Sequence, residues 1–169
     1  MLPARGIAHA GGMSSSLLRK GRFSGIGTTY VVTTVVLRRQ PLFADPALAG
    51  IVRSRLRQSD AEGASQTHAW VLMPDHLHWL FTLRGGGLSA CVGRFKARSA
   101  HALNRARVQA GAVWQDGFHD HGLRNDEDLR AHARYIMANP LRAGLVADIR
   151  DYPHWGCRWV SREQGLDGW

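Results

Sequence analysis

The stretch Ala69-Trp70-Val71-Leu72-Met73-Pro74-Asp75-His76-Leu77-His78-Trp79-Leu80-Phe81 consists of two apolar runs divided by a Pro-Asp pair. Pro fixes its own φ and Asp bonds to nearby backbone, so Pro74-Asp75 predicts a tight turn. Strands over 69–73 and 76–83 then form a hairpin. Successive strand side chains point to opposite faces. His76 and His78 therefore share one face, one strand repeat apart, while Leu77 turns the other way into the core. Two imidazoles so placed can share one divalent cation, which needs at least one further ligand.

Outward from this hairpin, residues 28–37 are rich in Val and Thr and predict a buried strand. Asp45 is placed to cap a helix with Pro46 at its first position, running to about Gln58. After Gly85-Gly86-Gly87, the residues Leu88, Val92, Phe95, Ala102, Leu103 and Ala106 fall on one face of a helix extending to Gln109. Arg94, Lys96, Arg98, Arg105 and Arg107 dominate the rest of its surface. Short strands are expected over 112–115 and 118–123. Asn125 is placed as the cap of a last helix running to about Ala138, with Asp126, Glu127 and Asp128 complementing its dipole. On that helix Leu129, Ala133, Ile136 and Met137 form the inward stripe, and Tyr135 and Asn139 lie one turn apart on its flank. Asn139, followed by Pro140, also reads as the cap of a second small helix. The order strand-helix-strand-strand-helix-strand(s)-helix specifies an α+β fold, a single antiparallel sheet with helices packed on it.

The chain has 169 residues, the length of one domain with a sizeable core, and a net charge of +9 with a pI near 10.9. That balance calls for a polyanionic partner, nucleic acid or an anionic membrane surface. No apolar run nears the roughly 18 residues of a spanning helix, so no membrane partner is expected. Residues 1–22 read as a flexible leader without a signal peptide's apolar core, and Met13 offers an alternative start. Residues 23–160 form the domain and 161–169 a tail. The two cysteines, Cys91 and Cys157, make neither a disulfide framework nor a zinc site, which points to a reducing cytoplasm.

Several segments together resemble the REP-associated tyrosine transposases, a branch of the His-hydrophobic-His single-strand transposases. They are Arg38-Arg39-Gln40-Pro41-Leu42-Phe43, Met73-Pro74-Asp75-His76-Leu77-His78, Trp114-Gln115, Asp128-Leu129 and the run from Tyr135-Ile136 to Val146, in order over roughly residues 26–155. Arg142-Ala143 and Tyr152-Pro153-His154-Trp155 also match, whereas strand 28–37 lacks a polar residue that some relatives carry. The resemblance implies a ferredoxin-like fold and a metal-dependent DNA transposase or endonuclease. Tyr135 would be the nucleophile, linked to the 5′ end of cleaved single-stranded DNA. It places the third metal ligand four residues after the tyrosine, on Asn139, beside His76 and His78, with Mg²⁺ or Mn²⁺ as the ion. Its substrates are palindromic repeats that fold into hairpins, contacted here by Arg94, Lys96, Arg98, Arg105, Arg107 and Arg142, in a cytoplasmic, nucleoid-associated monomer or homodimer.

The residues leave two other functions open, a non-catalytic nucleic-acid binder on the same fold and a nuclease whose histidines activate water. Asp75 is first a turn residue. His119, Asp120, His121 and His132 are secondary candidates, read as surface or phosphate-contacting groups. Trp114, Trp155 and Trp159 serve either base stacking or the core.

Overall fold

The computed structural model describes residues 25–124 and 128–167. Its elements are β1 (Thr29–Val35), α1 (Pro46–Ala61), β2 (Ser65–Met73), β3 (His76–Leu83), α2 (Leu88–Arg107), β4 (His119–Gly122), α3 (Leu129–Met137), α4 (Asn139–Arg142) and β5 (Trp155–Cys157). The strands form one antiparallel sheet in the order β4-β1-β3-β2-β5. This is the expected α+β architecture.

Strand alternation divides the core into two layers. On one face Val32, Leu72, Leu77, Trp79 and Phe81 pack with Val52 and Leu56 of α1 and Val92, Phe95 and Leu103 of α2. On the other, Val71, Met73 and Leu80 pack with Ala133, Ile136 and Met137 of α3 and with Ile149, Tyr152 and Trp155. The hairpin turns at Pro74-Asp75 as expected, and β2 begins four residues before Ala69 because a bulge between Thr67 and Ala69 restores its register. Asp45 caps α1 by accepting a bond from the Ala47 amide at 2.8 Å, with Pro46 in the first turn.

Several local expectations are corrected. Strand 28–37 closes at Val35, because Leu37 opens a 3-10 turn in which Arg38 and Arg39 have φ of 57° and 52°. Residues 112–115 form only a single bridge, Trp114 to Val36, rather than a strand. In α2, Ala106 is exposed, whereas Cys91 and Ser99 join the buried stripe. Ser99 is tolerated there because its hydroxyl donates to the Phe95 carbonyl at 2.8 Å and accepts from Trp114 Nε1 at 3.0 Å. Asn125 lies outside the described residues, and Asp128 caps α3 through the Arg130 amide at 2.8 Å. Asn139 does not cap α4. It lies inside that helix, with Ala138 at the cap position.

Candidate active site

β3 is the central strand, so the residues at its head are braced from both sides. His76 lies opposite Val35 and Met73, and His78 opposite Thr33 and Val71. Met73 and Val71 belong to the α3-side layer, so both imidazoles open on the face that α3 covers. Their Nε2 atoms converge to 3.1 Å, with the rings nearly perpendicular at 88°.

The other ring nitrogens are anchored. His76 Nδ1 lies 2.5 Å from Asp75 Oδ1, and His78 Nδ1 lies 2.9 Å from Thr33 Oγ1. Asp75 is itself fixed. Arg39 Nη1 donates to its second carboxylate oxygen at 3.1 Å, its carbonyl accepts from the Val36 amide at 2.8 Å, and the Pro74 carbonyl accepts from the Phe43 amide at 2.9 Å. The left-handed backbone at Arg38 and Arg39 thus delivers Arg39 onto the hairpin turn. Burial acts to raise the Asp75 carboxyl, but its bonds with His76 and Arg39 outweigh that and hold it below the ordinary carboxylate range. Burial, reinforced by the charges of His76 and Arg142, pushes His78 down from 6.5 to about 4. His78 is therefore neutral at pH 7, the state in which an imidazole can bind a cation.

These side chains fit a divalent ion. Two cis ligands of an octahedral cation with bonds of about 2.0–2.1 Å are separated by about 2.9 Å, and two ligands of a tetrahedral ion by about 3.3 Å. The observed 3.1 Å lies between these spacings. Anchoring the distal nitrogen to a carboxylate or hydroxyl is also how proteins orient metal-binding histidines. Among the described residues no three His, Cys, Asp or Glu side chains group into a metal cage.

Tyr135 stands at the C-terminal end of α3 with 65% of its surface exposed. Its inward neighbours Ala133, Ile136 and Met137 are buried against the sheet, so the helix is fixed and the phenol is presented to solvent. The Arg142 guanidinium lies 4.1 Å above the Tyr135 ring centroid and donates to Asn139 Oδ1 at 2.6 Å. Asn139 Nδ2 donates back to the Ile136 carbonyl at 2.9 Å. Tyr135, Asn139 and Arg142 thus form one group at the α3–α4 junction, on the helix that covers the histidine-bearing face of the sheet. The amide oxygen of Asn139 is held by Arg142.

β4 adds a shoulder on the same face, since His119 pairs with Thr33 and His121 with Val31. The His121 ring lies 5.8 Å from that of His132 on α3. The basic residues divide differently. Lys96 Nζ donates to the Gln115 and Gly117 carbonyls at 2.7 and 2.5 Å, tying α2 to the following loop. Arg98 grips both carboxylate oxygens of Glu62 at 2.6 Å. These two residues have structural roles that their helical position alone did not reveal. Arg94 and Arg105 are exposed and Arg107 is half-buried on α2, which covers the sheet face opposite the histidines. Trp114 and Trp155 are core residues, whereas Trp159 is half-buried and stacks on His68 at 5.6 Å. Cys91 and Cys157 are free thiols, both pushed up by burial.

Thr33 as a brace was invisible in the sequence, because its role depends on the β1–β3 register. Asp75 was visible only as a turn residue, although its adjacency to His76 was a usable signal.

The model of the family described as transposase IS200-like matches residues 26–139, which include both histidines, Tyr135 and Asn139. The chain belongs to this family. A REP-associated tyrosine transposase of Escherichia coli (strain K12) is 33% identical over 90 residues, covering 52% of this chain and 52% of that relative. The match thus spans about half of that curated protein. The solved structure of a REP-associated tyrosine transposase bound to a REP hairpin superposes with a TM-score of 0.67 at 28% identity, covering 79% of each chain. A crystal structure of a Deinococcus radiodurans R1 protein shares the fold, with a TM-score of 0.50 at 21% identity over 72% of this chain and 96% of its own. No helix among the described residues is long and apolar enough to cross a membrane.

Proposed function

We propose that this transposase-family protein cleaves and rejoins single-stranded, hairpin-forming repeat DNA through a 5′-phosphotyrosine intermediate on Tyr135. The observation that carries this reading is the pair of Nε2 atoms converging at 3.1 Å on the sheet face covered by α3, the helix that bears Tyr135. The structural relative bound to a REP hairpin supports the choice of substrate.

In the proposed reaction the phenolic oxygen of Tyr135 attacks the scissile phosphorus. The new O–P bond forms as the bond from phosphorus to the 3′ oxygen breaks, which leaves a 3′-hydroxyl and conserves the phosphodiester energy for rejoining. A tyrosine phenol, with a pKa near 10, is a weak nucleophile until nearby positive charge favours its phenolate. Arg142 lies 4.1 Å over the ring, and the exposed hydroxyl can release its proton to solvent as the O–P bond forms. When bound, Mg²⁺ or Mn²⁺ would polarise the scissile phosphate and offset the charge developing on it. His76 and His78 would hold that ion, with Asn139 Oδ1 as a third ligand once Arg142 releases it. The freed Arg142 guanidinium then suits a phosphate oxygen. Arg94, Arg105 and Arg107 are proposed as further backbone contacts.

The test is incubation of the protein with Mn²⁺ and a 3′-labelled hairpin oligonucleotide, whose label stays on the tyrosine-linked fragment, followed by denaturing electrophoresis. A shifted, denaturation-resistant band that is absent with Tyr135→Phe is expected. Cleavage without an adduct would instead indicate a nuclease that activates water, and binding without cleavage would indicate a non-catalytic protein.

A further inference from the structure

At the β5 edge of the sheet, on the face opposite the histidine pair, two cavities of about 240 and 250 Å³ adjoin through the indole of Trp70. The facing is fixed by pairing, since Trp70 lies opposite Trp79, whose side chain packs in the α1–α2 layer. Trp70 spans this edge because its other partner is Gly156. A Cβ at that position would come within 2.6 Å of Trp70 Nε1. The indole is half-buried, and its N–H donates to no described residue.

The rim of the cleft is cationic. Arg53 and Arg57 project from α1 one turn apart, and Arg158 and Arg162 face them from the C-terminal segment. Arg53 and Arg57 are exposed and bond no described residue, although like charges at this spacing repel each other. None of the residues lining the second cavity is acidic. In the first, Asp60 is engaged by the Ser65 and Thr67 hydroxyls and the Thr67 amide. Among the described residues Arg162 hydrogen-bonds the backbone carbonyls of Pro153 and Trp155 and lies 5.8 Å over the Trp155 ring, with no carboxylate partner. Burial, followed by the charges of Arg162 and Arg53, holds His154 in this cleft below its ordinary range, as expected where positive charge is uncompensated.

We propose that the cleft around Trp70 is a second nucleic-acid subsite. Arg53, Arg57 and Arg162 hold successive phosphates there, and the indole presents its face and N–H to an intervening sugar or base. The chemistry fits, since guanidinium forks bind phosphate and an indole accepts any base by stacking. The site lies across the sheet from Tyr135. It therefore grips a part of the DNA remote from the scissile phosphate. The choice of DNA rather than another polyanion rests on the function proposed above.

The experiment is fluorescence anisotropy of a labelled hairpin oligonucleotide with single-stranded flanks, in chelator so that no cleavage intervenes, titrated at several salt concentrations. Wild type is compared with Arg53→Ala/Arg57→Ala and with Arg53→Lys/Arg57→Lys. The Ala pair should bind at least about tenfold more weakly at 0.1 M salt. Its log–log salt slope should be flatter by about 1.4–1.8, for two phosphates released. The Lys pair should keep the wild-type slope. Wild-type affinity and slope in the Ala pair would overturn the proposal. Polyglutamate displacing the DNA as well as unlabelled oligonucleotide of equal charge would also overturn it, assigning the cleft to an acidic polypeptide. Failure of the adduct assay with a responsive salt slope would remove the proposed chemistry and leave the cleft standing, so the two readings fail separately.

Discussion

Acidification should destabilise the metal-free protein through His78. Its folded pKa of about 4 lies below the 6.5 of an unrestrained imidazole, because burial beside Thr33, His76 and Arg142 penalises the cation. Above pH 6.5 the ring is neutral in both folded and unfolded chains and contributes no pH dependence. Between 6.5 and 4 the unfolded chain binds a proton that the folded chain refuses, so stability falls as pH falls through this window. At about 1.36 kcal/mol per pH unit, the interval between 6.5 and about 4 amounts to a loss of about 3–4 kcal/mol at most. Urea unfolding in chelator at pH 7.0, 5.5 and 4.5 measures it. His68 and His154 are also lowered, chiefly by burial, and add loss of the same sign. The informative quantity is therefore the difference between wild type and His78→Gln, which lacks the titrating ring. The wild type should lose about 2–3 kcal/mol more than the variant between pH 7.0 and 4.5. Parallel stability curves would refute the view that His78 is kept neutral by its surroundings.

Two further outcomes follow from the braces around the site. Asp75→Ala should weaken Mn²⁺ binding, measured by calorimetry, by about 10–100-fold, while Asp75→Asn, which still offers His76 an acceptor, should retain more of it. Wild-type affinity in the Ala variant would remove Asp75 as the orienting group. On α2, Arg98→Ala should leave the salt dependence of DNA binding unchanged, because Glu62 already occupies its guanidinium. Arg105→Ala/Arg107→Ala should flatten the single-strand slope by about 1.4, and an unchanged slope would show that these two arginines only solvate the helix.

What could be read from the sequence was whatever repeats within one element. The His76–Leu77–His78 alternation gave a shared face without any tertiary knowledge, and the Ala133, Ile136, Met137 stripe oriented α3 with Tyr135 on its outer flank. Asp45-Pro46 marked a helix start because both residues act within one turn. The features missed depend on distant partners. Thr33 braces His78 only because the β1–β3 register sets them opposite each other, 45 positions apart. The ion pair of Arg98 with Glu62, at the C-terminal cap of α1, could not be read from the sequence because the two lie 36 positions apart. Ser99 went unread as a core position, because its burial depends on the Phe95 carbonyl one turn back and on the indole N–H of Trp114. The role of Asn139 turned on Arg142, three residues on, an interaction that capping preferences do not describe.

The central claim is that Tyr135 becomes covalently joined to DNA, and peptide mapping tests it most directly. Protein reacted with Mn²⁺ and a hairpin oligonucleotide is digested with nuclease and protease, and the nucleotide-bearing peptide is sequenced by mass spectrometry. The account predicts one modified residue, Tyr135, carrying a 5′-linked nucleotide through its phenolic oxygen. Cleaved DNA with an unmodified Tyr135 peptide, or a nucleotide on Tyr30 or Tyr152, would contradict it.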